Sequence, residues 1–310
     1  DAKLNDTVAS GLKVGAKALV FDVKGNVVYF DADAPMARSL GLTSHSFDLP
    51  HVMQLLKAQG VYSIARFVSV SDTGLTSALP ETRLVHPQTG KVITEHYIDP
   101  ANEKALQYNS EVICELAKAG LDEINLDYIR FSTENTYATD VFSPSQKADR
   151  VEAFVRMARD TIDRCGPSTK LGISTFAILG WDYEKNLRTL GQDVVRFAPL
   201  VDVISPMAYP SMFSPNAYYT PGVDKGPRDY YLVYRTMTGY QKLLGDQSYK
   251  LRPWLQAYGV TTKDVADQMR GATDAGVCGF TFWNADNVYG PVLKALKNWQ
   301  IPERCVNEAI

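Results

Sequence analysis

A short apolar run, a polar loop and a helical stretch recur about eight times along this chain, and that alternation constrains the fold more than any other feature. Alternating strands and helices imply a parallel sheet. Strands are expected at Lys17–Val23, Val61–Val70, Tyr97–Asp99 (the weakest), Glu123–Ile129, Lys170–Ala177, Asp202–Ala208, Leu251–Ala257 and Cys278–Trp283. Helices are expected at Leu49–Gln59, Asn102–Lys118, Ala148–Arg164, Tyr230–Leu244, Thr262–Ala275 and Pro291–Trp299. The fold class this predicts is α/β, a (β/α)8 TIM barrel forming a single domain over residues 1–310, with Val27–Phe30 adding a small hairpin after the first strand. A doubly wound sheet is the alternative, but no Gly-x-Gly-x-x-Gly follows the first strand. Long irregular stretches are expected at Ser71–His96, Ser132–Gln146 and Pro210–Arg228, all on the C-terminal face of the strands, where barrel enzymes keep their chemistry.

The segment Glu123-Ile124-Asn125-Leu126-Asp127-Tyr128 narrows the site. Its period-two alternation puts Glu123, Asn125 and Asp127 on one face, with Asp127 at the C-terminal end. Other strand ends bring Asp22, Arg66, Arg130, Tyr209, Trp254, Gln256, Trp283 and Asn284, and the loops add Asp182 and Glu81. Carboxylates and amides bind hydroxyls, and flat rings cover the apolar faces of a pyranose. Glycoside cleavage needs two carboxyl groups, and Asp127 can be one of them. Plainer roles stand beside these. Asp127 could pair with Arg66 or Arg130, Asp22 could cap a turn over Gly25, Asp182 could cap a helix, and Trp254 and Trp283 could be core. Asp202 starts its strand, which is the stability face of a barrel.

The rest of the sequence excludes more than it adds. A net charge of -3 without a basic block argues against nucleic acid. No apolar run approaches the roughly 18 residues of a membrane span. His45, His51, His86 and His96 form no metal-binding pattern, so neither a metal nor another cofactor is expected, and most deacetylases are disfavoured. There is no Gly-x-Ser-x-Gly elbow and no phosphate loop. Cys114, Cys165, Cys278 and Cys305 lie far apart in sequence, and buried free thiols are the simpler reading. The chain opens at Asp1 without a signal-like start; a secreted or cell-envelope location is favoured if an export signal has been removed.

Two resemblances follow from these residues. The fourth strand resembles the Asp-x-x-Asp-x-Asp-x-Glu signature of chitinase-type glycosidases at Asp122, Asn125, Asp127 and Ile129, with Ile129 where the catalytic Glu would stand. More of the chain is similar to domain-of-unknown-function family 4015, a family of candidate glycoside hydrolases. The blocks are FDVKG (Phe21–Gly25), YSIARFV (Tyr62–Val68), DEINLDYIRFS (Asp122–Ser132), ISPMAYPS (Ile204–Ser211), LRPWLQ (Leu251–Gln256) and FWNADNVY (Phe282–Tyr289). This resemblance implies a (β/α)8 barrel and a carbohydrate substrate. The chain departs from the family pattern at Phe176 and Ala257, where members tend to carry Asp.

The expectation is therefore a glycoside hydrolase or transglycosylase acting on a poly- or oligosaccharide. Asp127 would be nucleophile or base, kept ionised by Arg66 or Arg130. Asp182, Glu81 or Asp22 would supply the acid. Arg66, Arg130, Tyr209, Gln256, Trp254, Trp283 and Asn284 would hold the sugar. The alternative is a glycan-binding protein on a barrel that has lost catalysis, motivated by Phe176 and Ala257.

Overall fold

Side-chain caps set where the helices begin. Asp48 accepts a hydrogen bond from the His51 N–H, Asn102 from that of Ala105, and Ser143 and Thr261 form capping boxes with Gln146 and Asp264. Each cap satisfies backbone donors that the first helical turn leaves unpaired. The computed structural model describes residues 2–133 and 141–305. Part of the Ser132–Gln146 stretch, residues 134–140, lies outside them.

The chain divides into two compact units. The first comprises Ala18–Thr175 and Glu184–Val203. It holds the parallel strands β1 (Ala18–Lys24), β2 (Tyr62–Val68), β5 (Glu123–Asp127) and β6 (Lys170–Phe176, of which Phe176 falls in the other unit), in the order β1-β2-β5-β6. The antiparallel pair β3 (Arg83–Val85) and β4 (Val92–Ile98) stands apart from that sheet. Helices Leu49–Ala58, Glu103–Lys118 and Pro144–Cys165 accompany the strands. Register places Asp22 beside Arg66, Arg66 beside Asn125, and Asn125 beside Gly172.

The second unit comprises Asp1–Lys17, Phe176–Tyr183 and Ile204–Ile310. Strands β7 (Val203–Met207, of which Val203 falls in the first unit), β8 (Trp254–Gln256) and β9 (Thr281–Trp283) pair in parallel in that order, with helices Ala2–Leu12, Arg228–Leu244, Thr262–Asp274 and Gly290–Lys297. The helix Arg228–Leu244 packs closely on its neighbours. A Cβ at Gly239 would fall 1.8 Å from the Gly180 carbonyl oxygen, and one at Gly271 would fall 2.4 Å from that of Tyr230.

Two expectations need correction. Tyr97–Asp99 is not a third strand of the parallel sheet. Tyr97 and Ile98 are instead the end of β4, which pairs antiparallel with β3 through a turn closed by the His86 N–H to Lys91 carbonyl bond (2.8 Å). The Ser71–His96 stretch is correspondingly structured, starting with helix Thr73–Ala78. The cysteines are also not free thiols. Cys114 pairs with Cys165, and Cys278 pairs with Cys305, each with 5.3 Å between Cα atoms. The first bridge joins the helices Glu103–Lys118 and Pro144–Cys165 across 51 residues. Replacing Cys114 and Cys165 with Ser should lower stability by about 4 kcal/mol through the unfolded state's added chain entropy. Equilibrium denaturation of the variant beside the oxidised wild type measures it.

Candidate functional site

Strand β5 is buried along its whole length. Its polar face is satisfied from within, as burial requires. The Ser174 hydroxyl donates to Asn125 Oδ1 (2.6 Å), Asn125 Nδ2 to Glu123 Oε1 (3.5 Å) and the Tyr62 hydroxyl to Glu123 Oε2 (3.5 Å). Gly172 makes the room. A Cβ there would stand 2.4 Å from Glu123 Oε1 and 2.7 Å from Asn125 Nδ2. Gly172→Ala should therefore cost about 1–3 kcal/mol by overpacking, read by urea denaturation. Asp122 serves the start of the strand, accepting from the Ser63 N–H (2.8 Å) and hydroxyl (2.7 Å).

At the other end of β5, Asp127 is buried and held on both carboxylate oxygens. Arg66 donates to Oδ2 through Nε (2.8 Å) and Nη2 (2.6 Å), and the Tyr128 N–H donates to Oδ1 (2.7 Å). Arg66 also donates through Nη1 to Asp22 Oδ1 (2.8 Å), so one guanidinium binds two carboxylates. Burial acts to lower the Arg66 pKa, but the Asp127 and Asp22 carboxylates outweigh it and hold the group above its ordinary value. Asp22 differs from Asp127 in access, with its side chain 56% exposed against 9%.

A register shift between Asp22 and Lys24 turns the next polar side chain elsewhere. Lys24 is fully buried and donates to Asp72 Oδ2 (2.7 Å) and the Val68 carbonyl (2.9 Å). Asp72 in turn caps helix Thr73–Ala78 at the Leu75 N–H (2.8 Å). Burial first, and Asp72 second, push the Tyr108 hydroxyl pKa up beside this pair. A single antiparallel bridge, Lys24 to Val28, is what forms of the small hairpin after β1. Its carbonyl at Asn26 lies against Gly74, where a Cβ would approach to 1.8 Å.

The remaining candidates of the first unit are occupied differently. Arg130 is buried, donates to the Phe131 carbonyl (2.9 Å) and the Tyr97 hydroxyl (3.4 Å), and lies 5.3 Å from the Tyr128 ring centroid. Glu81 is exposed and bound to Lys104 (2.8 Å), and that bond foremost lowers its pKa. Asp202 takes the Leu171 N–H (2.8 Å) and Arg159 (3.0 Å) at the start of its strand. Ile129, at the chitinase-type Glu position, is fully buried.

In the second unit, Tyr209, Tyr258 and Trp283 form an aromatic cluster with centroids 5.6–6.1 Å apart. Gln256 supports it, accepting from the Ser211 N–H (2.9 Å) and donating to the Tyr258 carbonyl (2.8 Å). The Asn284 amide donates to the Ala257 (2.9 Å) and Val288 (3.0 Å) carbonyls. Both amides thus shape the loops that carry the rings. Trp254 is 3% exposed and belongs to the core. Asp182 is exposed just ahead of helix Tyr183–Leu190. Phe176 lines a mainly apolar cavity of about 220 Å³ with Met207, Met212, Phe213 and Tyr218. Trp181 packs on Phe213 and Tyr218 at 5.4 Å. Sequence reasoning singled out neither Asp72 nor Tyr128. Asp72 carried a signal, Asp-Thr-Gly-Leu opening a helix, whereas Tyr128 carried none.

Known proteins share this architecture. The glycoside hydrolase domain of PgaB (BpsB) from Bordetella bronchiseptica superposes with a TM-score of 0.71 at 15% identity, covering 95% of this chain and 91% of that one. The beta-galactosidase of the psychrophilic Marinomonas ef1 gives 0.63 at 12% identity, over 98% of this chain and 56% of that one. The spore cortex-lytic enzyme SleL of Bacillus cereus gives 0.56 at 10% identity, over 98% and 72%. At such identities the likeness concerns the fold, which is α/β and (β/α)-barrel-like. No curated protein sequence matches the chain. The sequence family DUF4015, described as "Putative glycosyl hydrolase domain", matches residues 3–289, and the chain belongs to that family.

Proposed function

We propose that the protein cleaves or transfers glycosidic bonds in a poly- or oligosaccharide, with Asp127 as nucleophile or base. The observation that carries this reading is the grip on Asp127 at the end of β5, where Arg66 holds one oxygen and the Tyr128 N–H the other. A carboxylate fixed in one orientation by charge-assisted bonds suits attack on an anomeric carbon or activation of water. Of the three acid candidates, Asp22 is the one on the same guanidinium, and it is open to solvent. Within the second unit, Trp283, half-buried, and Tyr258 are ring surfaces of the kind that stack on a sugar. Arg66 and Arg130 act in this reading by holding the carboxylate and the strand end.

The second reading is glycan binding without turnover. Phe176 favours it, since an apolar side chain lines a cavity at the position where the family resemblance leads one to expect Asp. Reducing-end release and calorimetric binding, measured in parallel on a broad glycan panel, separate the two. Release establishes hydrolysis and names the glycan. Saturable binding without release selects the second reading, and neither signal overturns both.

A further inference from the structure

Strands β6 and β7 each end on a large apolar side chain, Phe176 and Met207. In a (β/α)-barrel-like fold these C-terminal strand ends are where ligands meet the protein. Both side chains line the cavity of about 220 Å³ in the second unit, together with Met212, Phe213, Ser214 and Tyr218. No charged side chain is part of that lining. An ion entering it would shed water without gaining a counter-charge. An aromatic guest fares better. The edges of the lining rings suit its face, and methionine sulfur makes favourable contacts with its edge. An apolar cavity of roughly 150 Å³ holds benzene, so about 220 Å³ leaves room for one ring and a small substituent.

The walls are tied, so the space persists without a guest. The Tyr240 hydroxyl donates to the Phe176 carbonyl (2.7 Å). Arg228 Nη2 donates to the Pro210 (3.0 Å) and Phe213 (2.8 Å) carbonyls, on either side of Met212. Behind Phe213 and Tyr218 stands Trp181, its centroid 5.4 Å from each, with its indole N–H on Thr236 Oγ1 (2.9 Å). The mouth opens to solvent where Met212 is 55% exposed beside the exposed Ser214. All of these groups belong to the second unit.

We infer that this cavity is a binding site for an uncharged aromatic ring of about the size of phenol. Its occupancy does not depend on whether the protein cleaves glycosidic bonds. Calorimetric titration with phenol and with cyclohexanol tests it. Phenol should bind with a Kd of about 1 mM or tighter. It should bind about fivefold more tightly than cyclohexanol, which has nearly the same size and no π face. Two variants of the lining locate the ring. Phe176→Ala and Met212→Ala should each weaken phenol about fivefold. Neither side chain is fully buried, and Met212, the more exposed, keeps the test open should Phe176→Ala not fold. Tyr249→Ala, which removes a ring 79% exposed elsewhere in the same unit, should leave phenol binding unchanged. No saturable phenol binding, cyclohexanol within twofold of phenol, or phenol binding unmoved by both lining variants would each overturn the assignment.

Discussion

Asp127→Asn should lower turnover of any glycan the wild type cleaves by about 10³-fold or more, the scale on which loss of a central reacting group acts. The amide keeps the size and shape of the carboxylate. It cannot attack an anomeric carbon as an anion or take a proton from water. Binding should change little, because an amide of the same shape still hydrogen-bonds a sugar hydroxyl. The fold should also survive. Arg66 retains Asp22 as a charged partner (2.8 Å), so its guanidinium is not left alone. The measurement is kcat and KM beside calorimetric binding on the best glycan of the panel. A variant that turns over like the wild type would remove Asp127 from the chemistry. A variant that is inactive and also blind to the glycan would mean that Asp127 holds substrate instead.

The largest loss of stability should come from Lys24→Met. Lys24 and Asp72 are both fully buried, 2.7 Å apart, and removing one leaves the other charge without its counter-ion. Breaking a buried pair in this way costs about 3–5 kcal/mol. Asp72 keeps the Leu75 N–H (2.8 Å), which softens the effect without neutralising the charge. The double variant Lys24→Met, Asp72→Asn should recover a good part of the loss, because Asn caps a helix nearly as well as Asp and carries no charge. Urea denaturation of the two singles and the double closes the cycle and yields the coupling directly. Additive losses would show that the ion pair does not organise this corner.

Much of this was legible in residues alone, for physical reasons. Strand β5 could be read because alternation and burial act locally, and helix Glu103–Lys118 because Asn102 announces it. Asp127 could be placed at a strand end for the same reason. Its grip could not, since Arg66 is 61 residues away and nothing local selects one carboxylate for its charge. Strand β3 escaped because three residues carry too little pattern to mark a strand, although Pro87 and Gly90 signalled the turn that follows it. The disulfides escaped because pairing is decided by which helices meet, and 51 residues separate Cys114 from Cys165.

The two units differ in how the chain is threaded through them, and this bears on synthesis. Nearly all of the first unit is one continuous run, Ala18–Thr175, with its bridge Cys114–Cys165 inside that run. The second is assembled from three separated pieces, and its bridge Cys278–Cys305 closes near the far end of the sequence. A chain emerging from the ribosome or a translocon at roughly 5–20 residues per second therefore has the material for one oxidised half while most of the other is still unmade. Of the four cysteines of this sequence, Cys114 and Cys165 emerge first, each the other's native partner, so their order of appearance favours the native pairing.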